Sequence, residues 1–256
     1  MTPPTNRRQA ADEQPLGVDL RLGDCLGILP TLSDIDLIVT SPPYFNAKEY
    51  SYFENYEDYM SFMREFLKHS YTCLKDGGRL CLNIPDGYGR NPWVPIYANC
   101  VMSIIMSGFT LRGSIVWNKG TGAGKTSWGS WRSSSNPCLI DEHEMIIIAH
   151  KGSPRITGSP IERDYFLQSI HSVWNIKPET KRDHPAPFPL EIPRKLITLY
   201  SGRGDTVCDP FAGSGTTGVA CIQIQRNFVG IERNVEYYDK AKMRLDAEHA
   251  QMRMRI

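Results

Sequence analysis

Near its C-terminal end the chain reads TVCDPFAGSGTTGVAC, Thr206 to Cys221. An apolar run, a glycine-rich bend and a helical pattern follow one another without a spacer, and FVGIE then adds a second apolar run ending on Glu232. Few folds accommodate such a unit. Gly213-x-Gly215-x-x-Gly218 lets the backbone turn tightly out of a strand, lets a ligand approach, and opens a helix whose first N–H groups are unpaired. The acid ending the next strand is placed to accept hydrogen bonds from a ribose. A strand–loop–helix–strand unit of this kind belongs to a parallel sheet, yet only about 40 residues follow Gly215. The other strands must come from upstream, with the nucleotide-binding half last in the chain.

The upstream sequence supplies them. Leu20 to Leu22 and Asp34 to Val39 read as strands, and GDCLGILPTL between them as a short helix closed by Pro30 and Ser33. From Tyr56 to Leu74, Tyr59, Phe62, Met63, Phe66 and Leu67 fall at helical spacing, and Lys75-Asp76-Gly77-Gly78 stops the helix. Arg79–Ile84, Leu111–Asn118 and Glu144–His150 read as strands, and Val94–Ser107 as a helix stopped by Gly108. Leu190–Ser201 and Thr216–Gln225 read as helices, Thr206–Pro210 and Asn227–Glu232 as strands, and Val235 onward as a final helix. The alternation predicts an α/β, Rossmann-like doubly wound sheet, mostly parallel, with helices on both faces. Residues 17–256 read as a single domain and residues 1–16, which lack an apolar signal core, as a loose, flexible tail. Two stretches break the pattern: a Gly/Ser-rich loop at 118–137 and a polar, Pro-rich segment from Lys151 to Pro189.

The ligand of the glycine loop is constrained by Asp209, which puts a carboxylate just ahead of it. A carboxylate suits a cationic amino-acid group and repels a pyrophosphate, so S-adenosylmethionine fits better than a dinucleotide. A nicotinamide-dependent oxidoreductase remains the alternative of another class.

A second signal lies at the end of the strand DIDLIV, where the chain continues TSPPYF. An exocyclic amine on a base is a poor nucleophile because its lone pair is delocalised into the ring. Catalysis then requires holding the amine in line with the methyl group and drawing its hydrogens toward acceptors. Pro42 and Pro43 fix the backbone, and the Pro42 carbonyl can accept from the amine. Ser41 can accept from the amine or donate to the neighbouring ring nitrogen. Tyr44 can stack on the base face, worth about 1–3 kcal/mol.

TSPPY followed later by DPFAGSGTT resembles the DNA amino-methyltransferases of permuted, beta-type motif order, and the resemblance covers most of the chain. It implies that Ser41, Pro42, Pro43 and Tyr44 form the catalytic motif. It implies that Asp209, Pro210, Phe211, Ala212, Gly213, Ser214, Gly215 and Thr216 bind S-adenosylmethionine. Asp24 would lie near the adenine, Phe188 and Pro189 near the methionine end, and Glu232 with Arg233 at the ribose. Within that family a Ser in the first catalytic position usually accompanies cytosine N4 methylation, and an Asp adenine N6. The physics of a hydroxyl does not itself separate the two bases.

The net charge of +1 announces no nucleic-acid partner, so any such partner must meet a local patch. Leu111 to Pro137 contains Arg112, Lys119, Lys125 and Arg132 and no acid, giving 4 − 0 = +4, with Trp128 and Trp131 interleaved. Lys119, Lys125, Trp128, Trp131 and Arg132 therefore form the candidate DNA contact, with a solvated loop as the plain alternative. By family order the segment 151–185 would carry target recognition; it is short, so each chain would read few base pairs. KGTGAGKT lacks the first glycine of a P-loop. The seven cysteines form no C-x-x-C pair and mostly sit in apolar runs; they read as reduced core residues of an intracellular protein, Cys138 among them. His143 and His150 have no ligand spacing, so no metal is expected. No apolar run is long enough to cross a bilayer.

The expectation is a site-specific DNA methyltransferase acting on the N4 amine of a flipped cytosine in double-stranded DNA, cytoplasmic and associated with the nucleoid. Adenine N6 is the nearest alternative. A homodimer and a cognate restriction endonuclease are the candidate protein partners.

Overall fold

The computed structural model describes residues 17–45, 53–89, 92–120, 129–130, 132–155, 158–179 and 189–254. Its elements are β1 (Val18–Leu22), α1 (Cys25–Ile28), β2 (Ile35–Thr40), α2 (Tyr56–Cys73), β3 (Leu74–Ile84), α3 (Ile96–Met106), β4 (Thr110–Asn118), β5 (His143–His150), α4 (Arg163–Ser169), β6 (Val173–Asn175), α5 (Glu191–Tyr200), β7 (Thr206–Asp209), α6 (Thr216–Gln223), β8 (Asn227–Glu232) and α7 (Val235–Arg253). They build one eight-stranded sheet in the order β1-β8-β7-β2-β3-β5-β4-β6. The strands from β1 to β3 in that order pair in parallel, β5 runs antiparallel to both β3 and β4, and β6 pairs with β4 in parallel.

Covering the sheet on both faces makes its central strands mostly apolar. In β2, Ile35, Leu37, Ile38 and Val39 are all buried. Ile38 faces a cluster built with Tyr59, Met63, Phe66 and Leu67 of α2 and Cys100 and Ile104 of α3. Leu37 and Val39 face the opposite cluster, with Ile192 and Leu196 of α5 and Val219 and Ile222 of α6. Helix α2 starts where Asn55 accepts from the Asp58 N–H at 2.9 Å, with Glu57 and Asp58 in its first turn complementing the helix dipole. The third glycine of the loop is a packing residue. A Cβ on Gly218 would lie 2.6 Å from Leu245 Cδ2 and 2.7 Å from Phe228 Cε1, so α6 could not approach β8 and α7 as it does.

Three elements differ from the sequence expectation. Strand β3 begins at Leu74, so Lys75-Asp76-Gly77-Gly78 lies within it instead of separating a helix from a strand. Its register against β2 jumps from Ile35↔Leu74 to Leu37↔Arg79, a bulge turned by Gly77 at φ 74°. The Gly77 N–H and Gly78 carbonyl pair with Lys151, which anchors the bulge to the end of β5. The polar segment after β5 contains α4 and the edge strand β6. These are seven and three residues long, too short for periodicity to register.

All seven cysteines are free, and six are buried, their thiols pushed up by burial, Cys25 to about 12. Cys138 is only half-buried, a correction to its expected place in the core. Among the described residues no helix is long and apolar enough to cross a membrane, and no cluster of His, Cys, Asp or Glu could hold a metal ion.

Candidate active site

Strands β2 and β7 are neighbours and parallel, with Leu37 opposite Val207 and Ile38 opposite Cys208. Their C-terminal ends therefore emerge at one level on one edge. Ser41-Pro42-Pro43-Tyr44 leaves β2 there, and Pro210-Phe211-Ala212-Gly213-Ser214-Gly215 leaves β7 beside it. Segments some 170 residues apart in sequence thus meet at the seam where the strand order reverses, the place where open α/β sheets form ligand crevices.

Asp209 ties the two together. Its Oδ1 accepts from Thr40 Oγ1 at 2.6 Å and from the Phe211 N–H at 3.1 Å, and its Oδ2 accepts from Thr217 Oγ1 at 2.6 Å. Burial raises its pKa to about 6 against the opposing pull of these donors. Through these bonds the carboxylate binds the last residue of β2 to the glycine loop and to α6, with three of its roughly four acceptor positions filled.

The loop itself is held from several sides. Gly213 and Gly215 take left-handed backbone angles, φ 52° and 80°. Ala212 N–H donates to the Ile231 carbonyl at 2.9 Å, and Phe211 packs on Phe66 and Phe62 of α2 at ring separations of 5.0 and 6.0 Å. Arg244 of α7 reaches Thr216 Oγ1 at 2.9 Å and the Ser214 carbonyl at 3.3 Å. Glu232 sits at the end of β8, accepting from Gly213 N–H at 2.9 Å and from Asn234 N–H at 2.7 Å. A carboxylate has about four acceptor positions, so two remain for a diol. Arg233 is exposed next to it. Asp24 caps α1 through Leu26 N–H at 2.8 Å, and the adjoining Gly23 N–H donates to the Glu232 carbonyl at 2.9 Å. Asp24, Glu232 and the glycine loop therefore line the ends of three adjacent strands, β1, β8 and β7. Pro189 is buried at the start of α5, its carbonyl accepting from Ile192 N–H. Phe188 lies outside the described residues.

On the catalytic side the structure shows a network that sequence reasoning missed. Tyr44 OH lies 2.8 Å from Ser41 Oγ and donates to Glu144 Oε2 at 2.7 Å. Asn83 Nδ2, on β3, faces Glu144 Oε2 at 2.6 Å, Tyr44 OH at 2.8 Å and Ser41 Oγ at 3.3 Å. Lys119 closes the network by pairing with Glu144 Oε1, its ammonium also 4.9 Å from the Trp117 ring. Glu144 and Asn83 are 8% and 1% exposed, so this is a buried polar cluster beneath the motif. Its signal was present in the sequence: a lone Asn in LCLNI and a lone Glu leading EMIIIA, each a polar residue in a core strand.

The DNA-contact candidates divide. Lys119, expected on phosphate, is instead engaged by Glu144. Arg132 is exposed, at φ 53°. Lys125, Trp128 and Trp131 lie outside the described residues.

A fold with a glycine loop, an acid ending the next strand and an S-P-P-Y motif on one edge fits a methyltransferase of the N6/N4 class, and the chain belongs to the DNA methylase family (N6_N4_Mtase), whose sequence pattern matches residues 35–243. The nicotinamide alternative falls with this. The chain is 30% identical to the type II methyltransferase M.Cfr9I of Citrobacter freundii over 275 residues, 91% of this chain and 89% of that protein. It is 34% identical to the type II methyltransferase M.MjaVI of Methanocaldococcus jannaschii over 173 residues, 65% of this chain and 89% of that one. Among solved structures, TTHA0409 of Thermus thermophilus, assigned to the DNA modification methylases, superposes with a TM-score of 0.76 at 26% identity, covering 90% and 95% of the two chains. The same protein has been solved in complex with S-adenosyl-L-methionine. The cytosine-N4-specific PvuII DNA methyltransferase shares the fold, with a TM-score of 0.68 at 21% identity over 92% of each chain.

Proposed function

We propose that the protein transfers a methyl group from S-adenosylmethionine to the N4 amine of a flipped cytosine at a specific site in double-stranded DNA. The observation that carries this reading is the placement of Ser41 Oγ at the end of β2, level with the glycine loop across the β2–β7 seam. S-adenosylmethionine supplies an electrophilic methyl group on a sulfonium. Its adenosine would be held by Asp24 and Glu232 and its methionine end by the glycine loop with Pro189. Ser41 and the Pro42 carbonyl then act on the amine: they fix its direction and draw on its hydrogens, freeing the lone pair. A base inside a duplex cannot reach this edge, so it must be extruded at a cost of a few kcal/mol. Lys125 and Arg132 would hold phosphates, and the segment 151–185, with α4 and β6, would contact the recognition site. Assembly as a homodimer and service alongside a restriction endonuclease of the same specificity belong to this reading.

The test is to express the chain in a host lacking DNA methylation and sequence its genome with modification detection. N4-methylcytosine at one short recurrent sequence is expected. N6-methyladenine there would contradict the cytosine assignment, and an unmodified genome the whole reading.

A further inference from the structure

We propose that Ser41, Tyr44 and Glu144 form a directed relay, in which Ser41 meets the target amine as an acceptor and Glu144 finally receives the proton the amine gives up. This rests on the amino-methyl transfer reading above.

The direction follows from counting hydrogens. Three donors converge on the Glu144 carboxylate: Lys119 on Oε1, and Tyr44 OH and Asn83 Nδ2 on Oε2. An ionised carboxylate can only accept, so the single hydrogen of Tyr44 points at Glu144. Burial, and next the charge of Glu144, hold the phenol well above its ordinary range, so that hydrogen stays in place. The 2.8 Å contact between Ser41 Oγ and Tyr44 OH must then be donated by Ser41. Glu144 Oε2 and Tyr44 OH are only 2.7 Å apart, so one hydrogen of Asn83 Nδ2 serves both, at 2.6 and 2.8 Å, and the other is directed to Ser41 Oγ at 3.3 Å. Flipping that amide would set Asn83 Oδ1 against the carboxylate. Accordingly Oδ1 is buried with no partner among the described residues. The hydroxyl of Ser41 is therefore committed inward, one of its lone pairs faces Asn83, and the other is left for the substrate. Of the two roles open to Ser41 on sequence grounds, accepting from the amine is selected over donating to a ring nitrogen.

The relay balances. As the N–C bond forms, the S–CH3 bond breaks with its electron pair left on sulfur, and the amine nitrogen carries one proton too many. That proton passes to Ser41 Oγ, the Ser41 proton to Tyr44 O, and the Tyr44 proton to Glu144 Oε2, leaving one neutral carboxyl group to be reset from solvent. Lys119 keeps its charge and fixes the carboxylate from the other side. Ser41 touches the substrate; Tyr44 and Glu144 are positioning residues that act through it.

Single-turnover methyl transfer to duplex DNA should be measured for the parent, Tyr44→Phe, Glu144→Gln and the double variant, with cofactor and DNA affinities determined separately. Each single variant should transfer about 100-fold more slowly, the lower end of what a positioned proton acceptor contributes, with both affinities unchanged. The double variant should be no slower than Tyr44→Phe alone, because Glu144 works only through the phenol. Parental rates in Tyr44→Phe, or losses that multiply in the double variant, would overturn the relay. Tyr44→Phe removes one oxygen and decides the matter even if Glu144→Gln fails to fold. A parent that methylates no DNA defeats the functional reading instead. In that case melting of the four cofactor-free chains still judges the hydrogen bond: coupled losses support it and additive ones overturn it.

Discussion

At the scale of single residues, Asp209 is a buried carboxylate that joins two strand ends. Its three donors favour the charged form, yet burial outweighs them and its pKa rises to about 6. The consequence for stability has a definite sign. Below the ordinary carboxylate range both folded and unfolded chains bind the proton. Between about pH 4 and 6 only the folded chain holds it, so stability from this group falls as pH rises and levels off above 6. Asn at this position cannot ionise. The melting temperature of Asp209→Asn relative to the parent should therefore climb between pH 4 and 6 and stay flat above. The shift of about two pH units corresponds to on the order of 3 kcal/mol. A relative melting temperature independent of pH would show that Asp209 titrates in the fold as it does in the unfolded chain. Sequence alone could not foresee the partners of Asp209. Thr40 and Thr217 are ordinary residues of a strand and a helix until the β2–β7 pairing brings them together.

At the scale of elements, segments with apolar runs or clear stops were legible, and the two short ones in the polar segment were not. Helix α2 and the strands around the glycine loop carry enough apolar repeats to be read from spacing alone. Helix α4 and strand β6 do not, and the bulge in β3 reads as a helix stop because glycines at positive φ serve both purposes. The basic loop after β4 shows another limit of composition. Its three cations, Lys119, Lys125 and Arg132, include one, Lys119, which Glu144 has already neutralised. The phosphate contacts should then fall to residues further along. Replacing Lys125 and Arg132 with Ala should flatten the log–log salt dependence of DNA binding by about two units, while Lys119→Ala should leave the slope unchanged and slow methyl transfer. Filter binding across a salt series checks this. A slope reduced by Lys119→Ala alone would place its ammonium on the DNA and not on Glu144.

At the scale of the whole molecule, the order of motifs along the chain is opposite to their roles. The strand leading into S-P-P-Y comes early and the strand leading into the glycine loop late, and only the sheet order β8-β7-β2-β3 reunites them. The motifs and the α/β alternation can be read from sequence because both are local. Which strand ends become neighbours cannot, and hence neither can the Asp209 bridge nor the Glu144 network, whose members come from β3, β4 and β5 as well as β2. Those contacts are products of topology. The proposed function rests on it too: a methyl donor held along β1, β8 and β7 would face a target amine at the end of β2.

The most direct check is to incubate the purified chain with methyl-labelled S-adenosylmethionine and duplex DNA containing its site, digest the product to nucleosides, and identify the labelled one by mass. The account predicts label in N4-methyldeoxycytidine, strongly reduced in Ser41→Ala while cofactor binding persists. Label in N6-methyldeoxyadenosine would contradict the cytosine assignment, and undiminished transfer by Ser41→Ala would contradict the site at the β2–β7 seam.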